Sequence, residues 1–284
     1  MILMHMPNKK SFLARIEEAI LIRTKPDYMD SKEKVKDFLN DKPNQNPPRG
    51  IFKISESGIY TFGSDDAENT ILYAHGGAYV NEMNYQHLLY CFKLSRKLDV
   101  RVIAPVYPLA PHHNALETYE MMTGLYETLN HENLILMGDS AGGGFILSFV
   151  QYLKTVGLPQ PSKIIAFSPW VDISMGNPPY DSQSDPILGE IGLKEIGKSW
   201  AGDLDTKDYK VSPLYGDVAG QTQTLIFAGT NEIFHDDIKI YVEKLKKNDV
   251  DVRFIEGEGL FHIYPLFPSP EAKKAFKELK EIIG

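Results

Sequence analysis

From residue 70 onward the chain alternates short β-rich runs with amphipathic helical stretches, and no other feature constrains the fold as strongly. Strand-length runs fall at Thr70–Ala74, Arg101–Val106, Asn133–Met137, Lys163–Phe167, Gln223–Ala228 and Val252–Ile255. Helical periodicity fills Tyr85–Leu98, Ala115–Leu129, Ser140–Thr155, Asp236–Lys247 and Glu271–Ile283, with Leu88, Leu89, Phe92 and Leu98 as the expected buried stripe of the first. Strands separated by helices pair side by side in parallel, with the crossover helices covering both faces. The expectation is an α/β fold with a mostly parallel central sheet.

The flanks are different. Residues 11–40 carry Phe12, Ile16, Ala19, Ile20, Val35, Phe38 and Leu39 at helical spacing. The Pro-rich run from Lys42 to Gly50 then breaks the pattern, and Ile51–Phe62 reads as a hairpin turning at Glu56-Ser-Gly58. Between residues 176 and 215 the alternation stops. That stretch carries Pro178, Pro179, Pro186 and Pro213 and a helical piece over Leu188–Trp200, with no strand evident. A long excursion of this kind in an α/β domain usually covers a site. The organisation expected is a helical cap segment at 1–48 and a body at 49–284, with 176–215 as a cap insertion.

Composition narrows the function. One cysteine excludes a disulfide framework, a CxxC zinc site and an iron–sulfur cluster. A formal charge of −8 argues against a polyanionic nucleic-acid partner. Apolar runs such as Leu134–Met137 and Ile164–Phe167 are too short to span a membrane, and the first ten residues show no secretory pattern. A cytoplasmic location is the default expectation. Cys91 is expected to face helix packing.

Two motifs carry chemistry. Gly138-Asp-Ser-Ala-Gly142 is a G-x-S-x-G directly after a predicted strand and opening a predicted helix. A serine on such a turn projects its hydroxyl, glycines relieve the crowding, and the helix N-terminus offers free N–H groups to an oxyanion. His75-Gly-Gly77 also ends a strand; its small residues let consecutive N–H groups face a ligand, with His75 bracing the loop. A hydrolytic serine needs an acid and then a histidine in chain order. Of eight histidines only His235 and His262 follow Ser140, and His262 sits in a loop beyond the last predicted strand. The acid is expected after the preceding strand, where Glu232 comes first and Asp236 and Asp237 are rivals suited to the start of the next helix.

These residues resemble the hormone-sensitive-lipase-like branch of the α/β-hydrolase carboxylesterases over roughly residues 70–270. The resemblance rests on His75-Gly-Gly-Ala-Tyr79, Gly138-Asp-Ser-Ala-Gly-Gly143, Ser168-Pro-Trp-Val-Asp172, Ser212-Pro-Leu214, Val106-Tyr-Pro-Leu-Ala-Pro111 and the Glu232 and His262 segments. It implies an α/β-hydrolase fold with an N-terminal helical cap and an acyl-ester substrate. On its pattern Ser140 is the nucleophile, His262 the base and Glu232 the acid. Gly76, Gly77 and Ala141 are the oxyanion donors, with His75 and Asp139 in support. No metal and no cofactor are implied, and the branch often forms homodimers through its last strand and helix. Two positions depart from the pattern: Ala78 replaces the third glycine of the HGGG block, and Glu232 stands where the family usually has Asp.

Other readings are weaker. Gly142-Gly-Gly144 lacks the Lys-Ser/Thr of a phosphate loop, Gly138-Asp-Ser140 lies mid-chain unlike that of Gly-Asp-Ser-Leu hydrolases, and His235-Asp-Asp237 lacks further clustered histidines for a metal. An amidase or short-peptide peptidase could use the same triad, and a pseudo-hydrolase receptor could use the same pocket, although receptors of that kind have lost the histidine. The expected substrate is a small ester with a short acyl chain. Phe12, Ile16, Tyr28, Phe38, Tyr180, Ile187, Leu188, Ile191 and Trp200 are the candidates to line its pocket or pack the cap.

Overall fold

The computed structural model describes residues 4–5, 10–177, 180 and 185–284. Pro178 and Pro179 of the expected insertion lie outside the described residues. Eight strands form one sheet: β1 (Met4–His5), β2 (Ile59–Phe62), β3 (Thr70–Ala74), β4 (Arg101–Pro105), β5 (Leu134–Asp139), β6 (Lys163–Phe167), β7 (Thr224–Gly229) and β8 (Val252–Gly257). Their order is β1-β8-β7-β6-β5-β3-β4-β2, parallel throughout except for β2, which runs antiparallel to β4.

The helices are α1 (Phe12–Thr24), α2 (Lys32–Asn40), α3 (Tyr85–Leu98), α4 (Ala115–Glu127), α5 (Ser140–Val156), α6 (Glu190–Ala201), α7 (His235–Lys247) and α8 (Pro270–Ile283). The central strands are apolar at nearly every position because both faces are covered. Leu72, Leu136, Ile164 and Ile226 face a core shared with α4, α5 and α7. Their neighbours Ile71, Ile135, Ile165 and Leu225 face a core shared with α3 and α8. Asn84 and Asn114 cap α3 and α4 with reciprocal bonds from His87 and Glu117.

Two sequence expectations change here. Residues 51–58 do not form a hairpin arm; only an isolated bridge joins Ile54 to Tyr60, and β2 takes its ladder from β4 instead. The buried stripe of α3 is Leu88, Cys91 and Leu94, whereas Leu89 and Phe92 face outward. Cys91 is fully buried in that packing, as expected.

The described residues among the first forty divide between two places. β1 extends the sheet beside β8, and Ser11 bonds the Glu271 carboxylate at the start of α8 through its N–H (2.6 Å) and its hydroxyl (2.8 Å). The 3-10 turn Asp27–Asp30 and α2 pack instead against α6. β1 also covers the outer edge of β8 at Ile255 and Glu256, the edge that dimerisation through a last strand would use.

Candidate active site

The connections after β3, β5, β6, β7 and β8 leave the sheet at its carboxyl edge. Ala74 is in register with Gly138, Asp139 with Phe167, and Gly229 with Gly257. Chain order reverses between β3 and β5, so the crevice where open α/β sheets bind ligands opens at the end of β5. Ser140 stands there, turning directly from strand into helix with φ +52. The turn requires its glycines. A Cβ on Gly142 would lie 2.1 Å from the Ala74 carbonyl oxygen, and one on Gly138 would lie 2.6 Å from that of Gly142.

His262, in the loop after β8, brings Nε2 to 2.8 Å from Ser140 Oγ. Both residues are buried. Glu232, in the loop after β7, places Oε2 3.7 Å from His262 Nδ1, an ion-pair separation longer than a hydrogen bond. The same oxygen accepts bonds from Ser168 Oγ (2.6 Å) and Gly229 N (3.1 Å). Burial pushes the His262 pKa down, but Glu232, Asp185 and Asp139 outweigh it and the net shift is upward. The rival acids are elsewhere. The Asp236 carboxylate is 79% exposed beside His235. Asp237 accepts bonds from Asn177 Nδ2 and the Tyr180 hydroxyl, each at 2.9 Å.

The glycine loop corrects one expectation. Gly76 donates its N–H to Asp139 Oδ1 at 3.0 Å, so it does not face the serine. Gly77 (φ +117), Ala78 (φ +53) and Tyr79 (φ +61) are consecutive left-handed residues, and such runs turn neighbouring N–H groups to one side. Gly77 and Ala78 border the cavity that holds Ser140. Ala78 thus occupies the backbone conformation for which glycine is the usual residue. The Ala141 N–H lies in the first turn of α5, before any helical carbonyl can accept it.

Beneath the loop is a buried polar cluster. Asp139 also accepts from the Tyr73 hydroxyl (2.6 Å), and its Oδ2 lies 3.3 Å from His87 Nε2. His87 Nδ1 accepts the Asn84 N–H at 3.2 Å, so the proton sits on Nε2 and points at Asp139. Burial raises the Asp139 pKa, but His87 and Tyr73 reverse the shift and keep it ionised. His75 is fully buried; Nδ1 donates to Gly76 O at 2.6 Å and its ring stacks on Tyr107. Burial drives its pKa down to about 3, so it braces the loop as a neutral ring. Tyr73 and His87 lie in none of the sequence motifs, and Ser168 enters only as the first residue of the Ser168-Pro-Trp-Val-Asp172 block. For His87 the only signal was its place three residues after the helix-capping Asn84. No group of three metal-ligating side chains occurs among the described residues, where His235 Nε2 lies 2.8 Å from Glu256 Oε1.

The family described as the alpha/beta hydrolase fold matches residues 71–266. The chain belongs to that family. Its motif blocks resemble those of the hormone-sensitive-lipase-like branch of carboxylesterases. An Acinetobacter venetianus protein named esterase is 30% identical over 84% of this chain and 82% of its own length. A Streptomyces hygroscopicus acetyl-hydrolase is 26% identical over 73% of each. The fold is shared with a crystal structure of a hormone-sensitive lipase from a metagenome library (TM-score 0.79, 22% identity, 97% of this chain and 98% of that one). It is shared equally with an esterase of the bacterial hormone-sensitive lipase family (TM-score 0.78, 23% identity, the same coverage).

In this hydrolase a cavity of about 290 Å³ opens over Ser140 and His262. Pro26, Tyr28 and Met29 wall it from the N-terminal side, and Ile187 and Leu188 from the 176–215 segment. Of the other apolar candidates, Phe38 stacks on Tyr28, Trp200 is buried against Tyr79, and Phe12, Ile16 and Ile191 are exposed. Asp185 ties the second wall down: its carboxylate accepts the N–H groups of Ile187, Leu188 and Ile233 at 2.8–2.9 Å. Among the described residues no helix is long and apolar enough to cross a membrane.

Proposed function

We propose that this family member is a serine carboxylesterase for small, short-acyl esters, with Ser140 as nucleophile, His262 as general base and Glu232 as the acid behind it. The observation that carries the reading is the 2.8 Å contact between Ser140 Oγ and His262 Nε2 in a cavity walled by both apolar and polar side chains. With its own proton on Nδ1, His262 takes the hydroxyl proton through Nε2 as Oγ attacks the ester carbonyl. The carbonyl oxygen gains charge in front of the Gly77, Ala78 and Ala141 N–H groups. His262 then protonates the leaving alcohol, and water repeats the sequence on the acyl-enzyme. Glu232 faces Nδ1, and its ion pair tightens as the imidazolium forms. We assign the cap role to the segments around Pro26–Met29 and Ile187–Leu188, which wall the cavity.

A cavity of about 290 Å³ suits a compact ester better than a long acyl chain. The test is a panel of esters graded by acyl length together with a matched amide, run on the native chain and on Ser140→Ala. Turnover should peak at short acyl chains and vanish in the variant. Equal cleavage of the amide would make the protein an amidase. Failure of a phosphonate to label Ser140 would leave it a receptor.

A further inference from the structure

We propose that Ser168 is a positioning residue for the acid–base pair, a single hydroxyl that sets Glu232 and His262 in register. This rests on the triad reading above and deepens it. Ser168 directly follows β6 and is fully buried. Its N–H donates to Phe227 O on β7 at 2.7 Å, which fixes its backbone against the strand that leads to Glu232. Its Oγ accepts the Ile263 N–H at 2.9 Å and lies 2.6 Å from Glu232 Oε2.

The direction of these bonds is forced. An amide can only donate, so Oγ accepts from Ile263, and its one proton must go to the carboxylate. One oxygen therefore joins three loops, those after β6, β7 and β8. Ile263 directly follows His262 and holds a left-handed backbone at φ +51. Pinning its amide fixes the peptide that carries the imidazole. Glu232 has one more rotatable bond than the aspartate it replaces, so its carboxylate needs anchoring to keep Oε2 toward Nδ1. Ser168 and Gly229 N supply that anchoring on one oxygen, and Glu232 Oε1 has no hydrogen-bond partner among the described residues.

A bond that merely holds the fold together would alter stability alone. Positioning alters the rate and its pH dependence. Ser168→Ala should lower kcat for a short-chain ester about 10–100-fold with little change in KM, the worth of one charged hydrogen bond. The acid limb of its kcat/KM profile should move to lower pH, because the carboxylate no longer stays fixed beside Nδ1. In a Glu232→Gln background the same substitution should cost clearly less than in the native chain, because the carboxylate it anchors is gone and only the Ile263 bond is still lost. Should Ser168→Ala fail to fold, Ser168→Gly carries the same test without side-chain strain at φ +46. A folded variant with native kcat and an unmoved acid limb overturns the proposal, as does an undiminished loss in the Glu232→Gln background. If Glu232→Gln is itself silent, the triad acid is wrong and the proposal falls with it. If Glu232→Gln is damaging and Ser168→Ala is not, the triad stands and only the role of Ser168 is lost.

Discussion

The amide of Gly76 is turned onto the carboxylate of Asp139, 3.0 Å away, while the next two residues of the loop border the cavity that holds Ser140. Asp139 thereby anchors the loop directly beside Ser140. Asp139→Ala would strip the acceptor from Tyr73, Gly76 and His87 in a fully buried site. Stability should fall by roughly 2–4 kcal/mol in denaturant melts. In the folded fraction kcat should drop about 100-fold, as for loss of an oxyanion donor; native kcat there would uncouple the loop from the chemistry.

The choice of acid is open to direct comparison. Glu232→Gln should cost about three orders of magnitude or more in kcat, since it removes the charge behind the imidazolium. Asp236→Asn, on an exposed carboxylate beside His235, should leave kcat within about 2-fold. The reverse ranking in steady-state assays would reassign the acid.

The upward shift of His262 sets a pH dependence. The base must be neutral to accept the serine proton, so kcat/KM falls as pH drops through its pKa. That limb should lie above the ordinary histidine value of about 6.5. A rate profile with its acid limb below about 6 would contradict the electrostatic environment described here.

On α1, Glu17 is buried near Glu271, and neither of its carboxylate oxygens has a hydrogen-bond partner among the described residues. Burial first, then the Glu271 charge, lifts its pKa from 4.5 to about 7. The folded chain therefore holds a proton that the unfolded chain releases, and this penalises folding increasingly as pH rises from 4.5 to 7. Glu17→Gln should stabilise the protein by about 1–2 kcal/mol at pH 8, after allowance for solvent screening, and by much less at pH 4.5. Thermal melts at the two pH values read the difference.

The cavity wall depends on a close helix approach. A Cβ on Gly192 would lie 2.7 Å from Met29 Cα, backbone that cannot step aside. Gly192→Ala should displace the Asp27–Asp30 turn from α6, raise KM several-fold, and cost about 1–3 kcal/mol. An unchanged KM would show that this wall does not touch substrate.

The sheet was legible because its strands are buried on both faces, and unbroken apolar runs such as Leu134–Met137 can be little else. Ser140 and His262 were legible as candidates because a hydrolytic serine and its histidine follow a fixed chain order and loop position, and the fold brings the two to 2.8 Å. Periodicity was less informative about faces. In α3 it drew attention to Leu89 and Phe92, whereas the sheet receives Leu88, Cys91 and Leu94; spacing identifies a helix but not which neighbour it meets. The same limit applies to Phe12 and Ile16, which lie on the open side of α1. The turn of Gly76 toward Asp139 and the bridge through Ser168 depend on side-chain direction across three loops. No spacing along the chain encodes that.

Ser140 and His262 are separated by 122 positions. At about 5–20 residues per second, a ribosome that has just placed the serine needs roughly 6–25 s more to deliver its base. Once β5 has emerged, its elbow can form with β3 and β4 before the imidazole of His262 exists. If the proposed triad holds, reactivity arrives only after all eight strands have been made, and the nascent chain carries an inert serine for those 122 residues.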